Sequence, residues 1–343
     1  MTSFVKANLI SLNKIEVIIS NNNIKPNFSD FRLFINEQEV NNYKLSKPSF
    51  NDKYCVLEVN LNNNYEFGKE YLIEIPGFER CYVSTYHVPE FNEFDNLFNT
   101  DIELGALYTK EETIFRLWSP LSHKVVLKIE QNGIFNLYEM QRINNGIYEI
   151  VIAGDQLNNK YSYMVTNSGI TVETLDPYGK GVSLNSKYSA VVDINQFKNK
   201  TQIKPEYKFN RYTECSIYEM NIRDFTEDKN TNIVNKGKYL GLAEENRSTL
   251  GNHPAGLDYL KYLGISHLQL NPVTDFYGVD DINVKKTYNW GYDITSFFAL
   301  EGSYSINPYD PSSRLLEFRQ MIDSLHKNNI RVVMDVVYNH IYD

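Results

Sequence analysis

From Lys14 to Pro89 the chain is a succession of short runs in which apolar and polar residues alternate. They are Lys14 to Ser20 (KIEVIIS), Asp30 to Asn36 (DFRLFIN), Tyr54 to Leu61 (YCVLEVNL), Glu70 to Phe78 (EYLIEIPGF) and Cys81 to Pro89 (CYVSTYHVP). Period two sends successive side chains to opposite faces of a strand, and the Asn, Gly and Pro residues between runs mark turns. The pattern predicts a small immunoglobulin-like antiparallel β-sandwich over residues 1–92. Phe91 to Thr100 is acidic and aromatic without a period, and reads as a linker. Alternation resumes at Leu104 and continues through Thr113 to Pro120, Lys124 to Gln131, Phe135 to Met140, Gly146 to Ala153, Tyr161 to Val165 and Ser189 to Ile194. Asn132-Gly133 and Asn144-Asn145-Gly146 supply residues that tolerate the positive φ of tight turns. A second β-sandwich is predicted over 93–205.

Past Arg211 the period changes. Leu257, Leu260 and Leu263 recur every third position, with Pro254 just ahead and Gly264 just beyond, so Pro254 to Leu263 reads as a helix. Ser312 to Lys327 places Leu315, Phe318, Ile322 and Leu325 on one helical face. Ser216 to Ile222, Ile265 to Asn271 and Ile330 to Tyr338 read as strands. The last is an unbroken β-branched run, the pattern of a parallel strand covered on both faces. Strands separated by helices predict a parallel α/β unit over 206–343. Between the second strand and the second helix lies a long excursion, Pro272 to Pro311, and loops of that length inside a compact domain usually serve a site. It carries Tyr288-Asn289-Trp290-Gly291-Tyr292-Asp293, which offers a Tyr face and a Trp edge to the apolar side of a pyranose and Asn and Asp to its hydroxyls. Asn339 and His340 fall at the carboxyl rim of the sheet, where α/β folds bind their ligands.

Composition narrows the choice. The chain has 343 residues, 42% hydrophobic and 22% charged, enough for two or three cores. Its net charge of -9 and the lack of any basic run argue against a nucleic-acid partner and fit a neutral ligand. No apolar run is long enough to span a membrane. Met1 to Ile10 has neither an apolar core nor a small-residue cleavage site, so a cytoplasmic location is expected. Cys55, Cys81 and Cys215 match no metal spacing and read as reduced thiols, with a Cys55–Cys81 bridge disfavoured. No metal and no cofactor is expected. Trp118 and Tyr138, Tyr148, Tyr161 and Tyr163 lie within predicted strands and read as packing residues rather than sugar platforms.

The ordered set YNWGYD (Tyr288 to Asp293), EGSYSINPYD (Glu301 to Asp310) and DVVYNH (Asp335 to His340) resembles the α-amylase superfamily, and within it the type I pullulanases. Ile217 to Phe225 is similar to the first barrel strand of those enzymes and Gly264 to Val273 to the second. Glu103 to Tyr108 and Phe115 to Pro120 resemble the opening of the glucan-binding module that precedes the barrel. The resemblance covers roughly residues 100–343. It implies a multidomain fold, two immunoglobulin-like β-sandwich domains followed by an incomplete (β/α)8 TIM barrel. Three predicted strands fall short of eight, and Arg211 to Asp343 is about half of the ~250 residues a closed barrel takes.

For chemistry, the resemblance implies hydrolysis of α-1,6 linkages in an α-glucan such as pullulan, glycogen or branched dextrins. Retaining hydrolysis needs two carboxyl groups ~5 to 5.5 Å apart. In the resembled family these stand after strands four and five, so the nucleophile Asp and acid Glu are expected downstream of Asp343 and no catalytic residue is assigned here. What remains is the supporting side of the sugar site. Tyr292 is expected as the stacking platform, His340 as a donor to sugar hydroxyls, and Asp335 as a carboxylate orienting its neighbours. Asp224, Asp275, Asp293 and Glu301 are expected in loop turns or in ion pairs with Arg223 or Lys285. Asn221 and Asn271 stand where the family commonly has His and Leu. A non-catalytic glucan-binding protein is the alternative of another class; an isoamylase or branching enzyme is disfavoured by the form of YNWGYD and EGSYSINPYD. The first domain reads as a packed spacer more readily than as an auxiliary glucan contact.

Overall fold

A computed structural model describes residues 5–20, 27–51, 53–198, 203–206 and 208–342. Residues 1–4, within the stretch read above for a secretory signal, lie outside them. The first nine strands are β1 (Val5–Ser11), β2 (Lys14–Ser20), β3 (Arg32–Ile35), β4 (Gln38–Val40), β5 (Tyr43–Leu45), β6 (Ser49–Phe50), β7 (Tyr54–Leu61), β8 (Tyr71–Glu74) and β9 (Cys81–Ser84). They form one sheet in the order β4-β3-β8-β9-β1-β2-β7-β5, with β6 also on β7. Two separate antiparallel sheets were expected. Instead β9 pairs antiparallel with β8 and parallel with β1, joining both halves into one path. Leu33 and Ile73 from one half share a core with Leu9, Val17 and Leu57 from the other. Within the strands the alternation holds: Ile15, Val17 and Ile19 of β2 are buried, as are Cys55, Leu57, Val59 and Leu61 of β7. All three cysteines are free thiols.

The predicted linker contains a short helix, α1 (Phe94–Phe98), whose Phe98 is buried in the first core. One turn and a half is too short to show a period in sequence. Two antiparallel sheets follow. One orders β10 (Gly105–Tyr108), β11 (Glu112–Trp118), β15 (Ile147–Ala153) and β14 (Gln141–Arg142) as β10-β11-β15-β14. The other orders β13 (Ile134–Glu139), β12 (Lys124–Gln131), β16 (Lys160–Asn167) and β17 (Ile170–Thr174), with β18 (Ser189–Ala190) also on β16. Phe115, Leu117, Val125, Leu127, Ile129, Tyr148, Tyr161 and Tyr163 make the core between them. Tyr161 is fully buried and donates to Asp176 at 2.7 Å, so it belongs to packing. Trp118 is half-buried at the seam with the first sheet, packs on that sheet's core and donates from Nε1 to the Phe98 carbonyl at 2.9 Å.

A short helix, α2 (Asn195–Lys198), leads to the third unit. Here β19 (Ile217–Met220), β20 (His267–Leu270) and β21 (Arg331–Met334) form a three-stranded parallel sheet in that order. Between β19 and β20 run α3 (Ile222–Thr226), α4 (Tyr239–Ala243) and α5 (Leu257–Leu263); α6 (Pro311–Lys327) joins β20 to β21. The carboxamide of Asn221 caps α3 by accepting from the Arg223 and Asp224 amides, which accounts for an Asn at that position. Asp310 caps α6 and Pro311 opens it. The apolar face of α6 buries Phe318, Met321 and Leu325 against Leu260, Leu268 and Leu270.

The third strand departs from expectation. It stops at Met334 rather than Tyr338, and Val333 and Met334 are exposed. β-branched residues specify an extended chain but not what lies beside it, and β21 has one neighbour, β20, among the described residues.

Candidate functional site

The excursion between β20 and α6 is irregular but heavily bonded. Asp275 N–H donates to the Ala299 carbonyl and Thr295 N–H to the Asp275 carbonyl, both at 2.9 Å, and Tyr277 N–H donates to the Asp293 carbonyl at 2.8 Å. Asn289 shapes the turn that presents the aromatic residues: its amide donates to the Tyr277 carbonyl and to Asp293, and its oxygen accepts from Gly291 N–H at 2.8 Å. Gly291 sits at φ 102°, and a Cβ there would lie 2.6 Å from the Pro272 carbonyl oxygen. Only glycine fits that approach.

This turn brings Tyr292 to the end of the sheet. Its hydroxyl donates to Asp335 Oδ2 at 2.8 Å, across 43 positions of sequence. Asp335 is the first residue past β21 and is held to the sheet by its N–H on the Leu270 carbonyl at 3.0 Å. The bonded carboxylate, then burial, push the Tyr292 phenol up to about 12, so it is a neutral donor at any physiological pH. Tyr288 is placed similarly. It donates to Asp224 Oδ2 at 2.5 Å, and Arg223 lies over its ring at 5.6 Å. Trp290, between the two, is 62% exposed.

His340 is exposed, and among the described residues no hydrogen bond joins it to Tyr292 or Asp335. The flanking chain nevertheless follows the excursion. Tyr338 meets Phe297 at 6.1 Å between ring centroids, Tyr342 N–H donates to the Ile294 carbonyl, and the Tyr342 ring stacks on Tyr277 at 3.9 Å. The structure therefore joins Tyr292 to Asp335 and carries His340 along the same loop without a direct bond. Asp335 is a residue after the strand, not within it.

Of the acids read as loop or ion-pair residues, Asp293 lies in the aromatic turn, while Asp275 and Glu301 are drawn into a buried cluster with Asp281, an acid that the sequence did not single out. Asp275, Asp281 and Glu301 are buried beside Arg314, whose Nη1 lies 3.5 Å from Asp275 and Nη2 3.7 Å from Asp281. Arg314 is fully buried and also donates to the Leu300 and Pro308 carbonyls. Neither Arg223 nor Lys285 takes part: Arg223 pairs with Glu227. Burial, then Asp275 and Asp281, push Glu301 up to about 8; burial likewise raises Asp275 to about 6. Asp275 and Asp281 face the guanidinium, Glu301 accepts from the Phe276 and Ser303 amides, and all three are closed to solvent, which removes them as a hydrolytic pair. Among the described residues no cluster of acids, cysteines and histidines could hold a metal ion, and no helix is long and apolar enough to cross a membrane. A crevice of about 580 Å³ that Tyr292 does not line lies between α1 and the second unit, lined by Phe94, Trp118 and Tyr178.

Two family models match. Residues 103–179 match carbohydrate-binding module 48, the isoamylase N-terminal domain, and residues 252–343 match the α-amylase catalytic domain. The chain thus joins a match to a carbohydrate-binding module to a match to part of an α-amylase catalytic domain. Its relatives of that superfamily include pullulanases, which it resembles over most of its own length. It is 36% identical over 91% of its length to pullulanase of Bacillus subtilis (strain 168), of which it spans 43%. The pullulanase of Anoxybacillus sp. LM18-11 complexed with maltotriose superposes with a TM-score of 0.89 at 32% identity, covering 98% of this chain and 49% of that one. Type I pullulanase of Bacillus subtilis str. 168 complexed with maltose superposes at 0.88 and 32% identity, covering 100% of this chain and 48% of that one. The chain therefore spans about half the length of these relatives.

Proposed function

We propose that this chain supplies the glucan-binding module and one wall of the substrate cleft of an α-1,6 debranching glycosidase acting on pullulan, glycogen or branched dextrins with retention of configuration. The observation that carries the reading is the Tyr292–Asp335 hydrogen bond, which fixes an aromatic face at the carboxyl end of a parallel sheet. In this reading Tyr292 stacks under a glucose ring, Asp335 orients it, and His340 donates to sugar hydroxyls. The finer architecture is an immunoglobulin-like domain over 1–92, a module over 93–205 and the first β/α units of a TIM barrel over 206–343. Free thiols support a cytoplasmic setting.

Residues 1–343 hold no facing pair of accessible acids among those described, so incubation with pullulan is expected to release reducing ends at background only. Turnover abolished by Tyr292→Ala would overturn this. Affinity electrophoresis in glycogen tests the binding half: retardation is expected, and a mobility equal to that in a glucan-free gel would count against it. The second reading, a glucan-binding protein without catalysis, is favoured by the module match, and retardation that persists in a 1–205 fragment while Tyr292→Ala has no effect would select it.

A further inference from the structure

The turn between Ser183 and Tyr188 belongs to the module, yet its tip is inserted into the excursion that carries Tyr292. Asn185 N–H donates to Asp281 Oδ2 at 2.9 Å, and Asp281 N–H returns a bond to Asn185 Oδ1 at 2.8 Å. Ser186 donates from its hydroxyl to Asp275 Oδ2, the same oxygen that accepts from the Thr295 hydroxyl. Asn185 and Ser186 both have left-handed backbone, at φ 52° and 53°. Two consecutive non-glycine residues in that region persist only where their surroundings hold them there. The turn is closed behind them by the Ser183 and Tyr188 backbones, with N–H to carbonyl at 2.8 Å. From Asp275 the path to the site is short. Thr295 is bonded to Asp275 by backbone and side chain, and Asp293, adjacent to Tyr292, is bonded to Tyr277.

We propose that Asn185 and Ser186 are positioning residues: through Asp281 and Asp275 they hold the 288–296 turn so that Tyr292 meets Asp335. The consequence for glucan binding rests on the function proposed above; the coupling itself does not, because it is read without any sugar. Without the Ser186 donor, Asp275 keeps Thr295 and Arg314, but the 288–296 turn loses its direct link to the module and, of these bonds, only the Asn185–Asp281 pair still joins the module to the excursion. Glycine at 186 relieves the left-handed backbone and removes the hydroxyl, so it separates a donor role from a conformational one.

The experiment uses the full chain labelled with [13Cζ]-tyrosine, the Tyr292 signal being assigned by Tyr292→Phe. Ser186→Gly is expected to make Tyr292 titrate at lower pH than in the parent, with backbone amides of 288–296 exchanging at least tenfold faster. Val125→Ala, which opens the module core without touching the turn, serves as a control for general destabilisation, and is expected to leave both readouts unchanged. The inference fails if Ser186→Gly leaves the Tyr292 titration and the exchange of 288–296 as they were, or if Val125→Ala moves them equally. Loss of glycogen retardation in the parent, with this coupling intact, would instead count against the glucan reading alone.

Discussion

The hydroxyl of Tyr292 and the carboxylate of Asp335 set each other's chemistry. A phenol that donates to a carboxylate resists ionisation, because losing its proton would leave two anions in contact. That bond is the first cause of the raised Tyr292 value of about 12, ahead of burial and of Glu219. Asp335→Asn keeps the shape and an acceptor oxygen but removes the charge. The expected result is a Tyr292 hydroxyl that titrates nearer to ordinary tyrosine, measured by NMR on the phenolic carbon. A titration unchanged from the parent would mean that Asp335 is not the acceptor. For a glucan site the pairing has a use, since a neutral tyrosine fixed at one edge keeps its ring face oriented without needing the sugar to order it.

At the scale of elements, the excursion from Pro272 to Pro311 behaves as a folded object rather than a loose loop, and Gly291 is its tightest point. A Cβ at φ 102° would meet both the Pro272 carbonyl and the Phe276 ring, at 2.6 and 3.3 Å. Gly291→Ala is expected to cost about 1–3 kcal/mol in urea unfolding and to lower the protection of the Tyr277 amide, and an alanine variant as stable as the parent would show that the turn can shift freely. How much of this was readable in sequence follows from how each feature is encoded. The aromatic turn and the Asp335 segment are contiguous motifs, so YNWGYD and DVVYNH brought Tyr292 and Asp335 into one site before any geometry was known. Alternation gives most strands of the first two units but not β1, β4, β5, β6, β14 or β17, although each of these pairs with a strand that it does give. The extent of β21 was overread because Val332 to Val337 specifies extension and not coverage. The buried cluster was illegible: Ser186, Asp275, Asp281, Glu301 and Arg314 share no period and no spacing, and only the folded chain assembles them.

That cluster binds the second unit to the parallel α/β unit, so its ionisation is a property of the whole molecule. Asp275 and Asp281 share one guanidinium, Arg314, and Glu301 is buried against both acids, while Lys238, Glu317, Tyr239 and Tyr304 face the same interior from the start of α4, from α6 and from the excursion. The Lys238 ammonium donates to the Ser303 carbonyl, and Glu317 is occupied with Ser305, Ser313 and the Ile306 amide. With all three acids ionised, Arg314 cannot balance them, and holding a proton on Glu301 relieves the excess. The folded chain therefore binds protons at a pH where the unfolded chain has released them. Glu301 ionises in the unfolded chain near 4.5 and in the folded chain near about 8, so its contribution is complete below 4.5 and is lost as pH rises through about 8. Asp275, raised to about 6, acts in the same direction over a lower window. Urea unfolding followed from about pH 5.5 to about pH 8.5 is expected to show falling stability, by an amount on the order of a few kcal/mol. Glu301→Gln keeps a neutral group of the same size in place at every pH. It is expected to flatten the upper part of that slope and to leave the protein more stable than the parent at the alkaline end. A parent that is equally stable across the range would rule out the shared proton, and a Gln variant that keeps the parent's slope would assign it to another group. Since Asp275 and Asp281 are also the residues that receive Ser186 and Asn185, alkaline loosening should be seen first where the module meets the excursion, as faster amide exchange in 183–188 and 288–296 than in the sheets on either side.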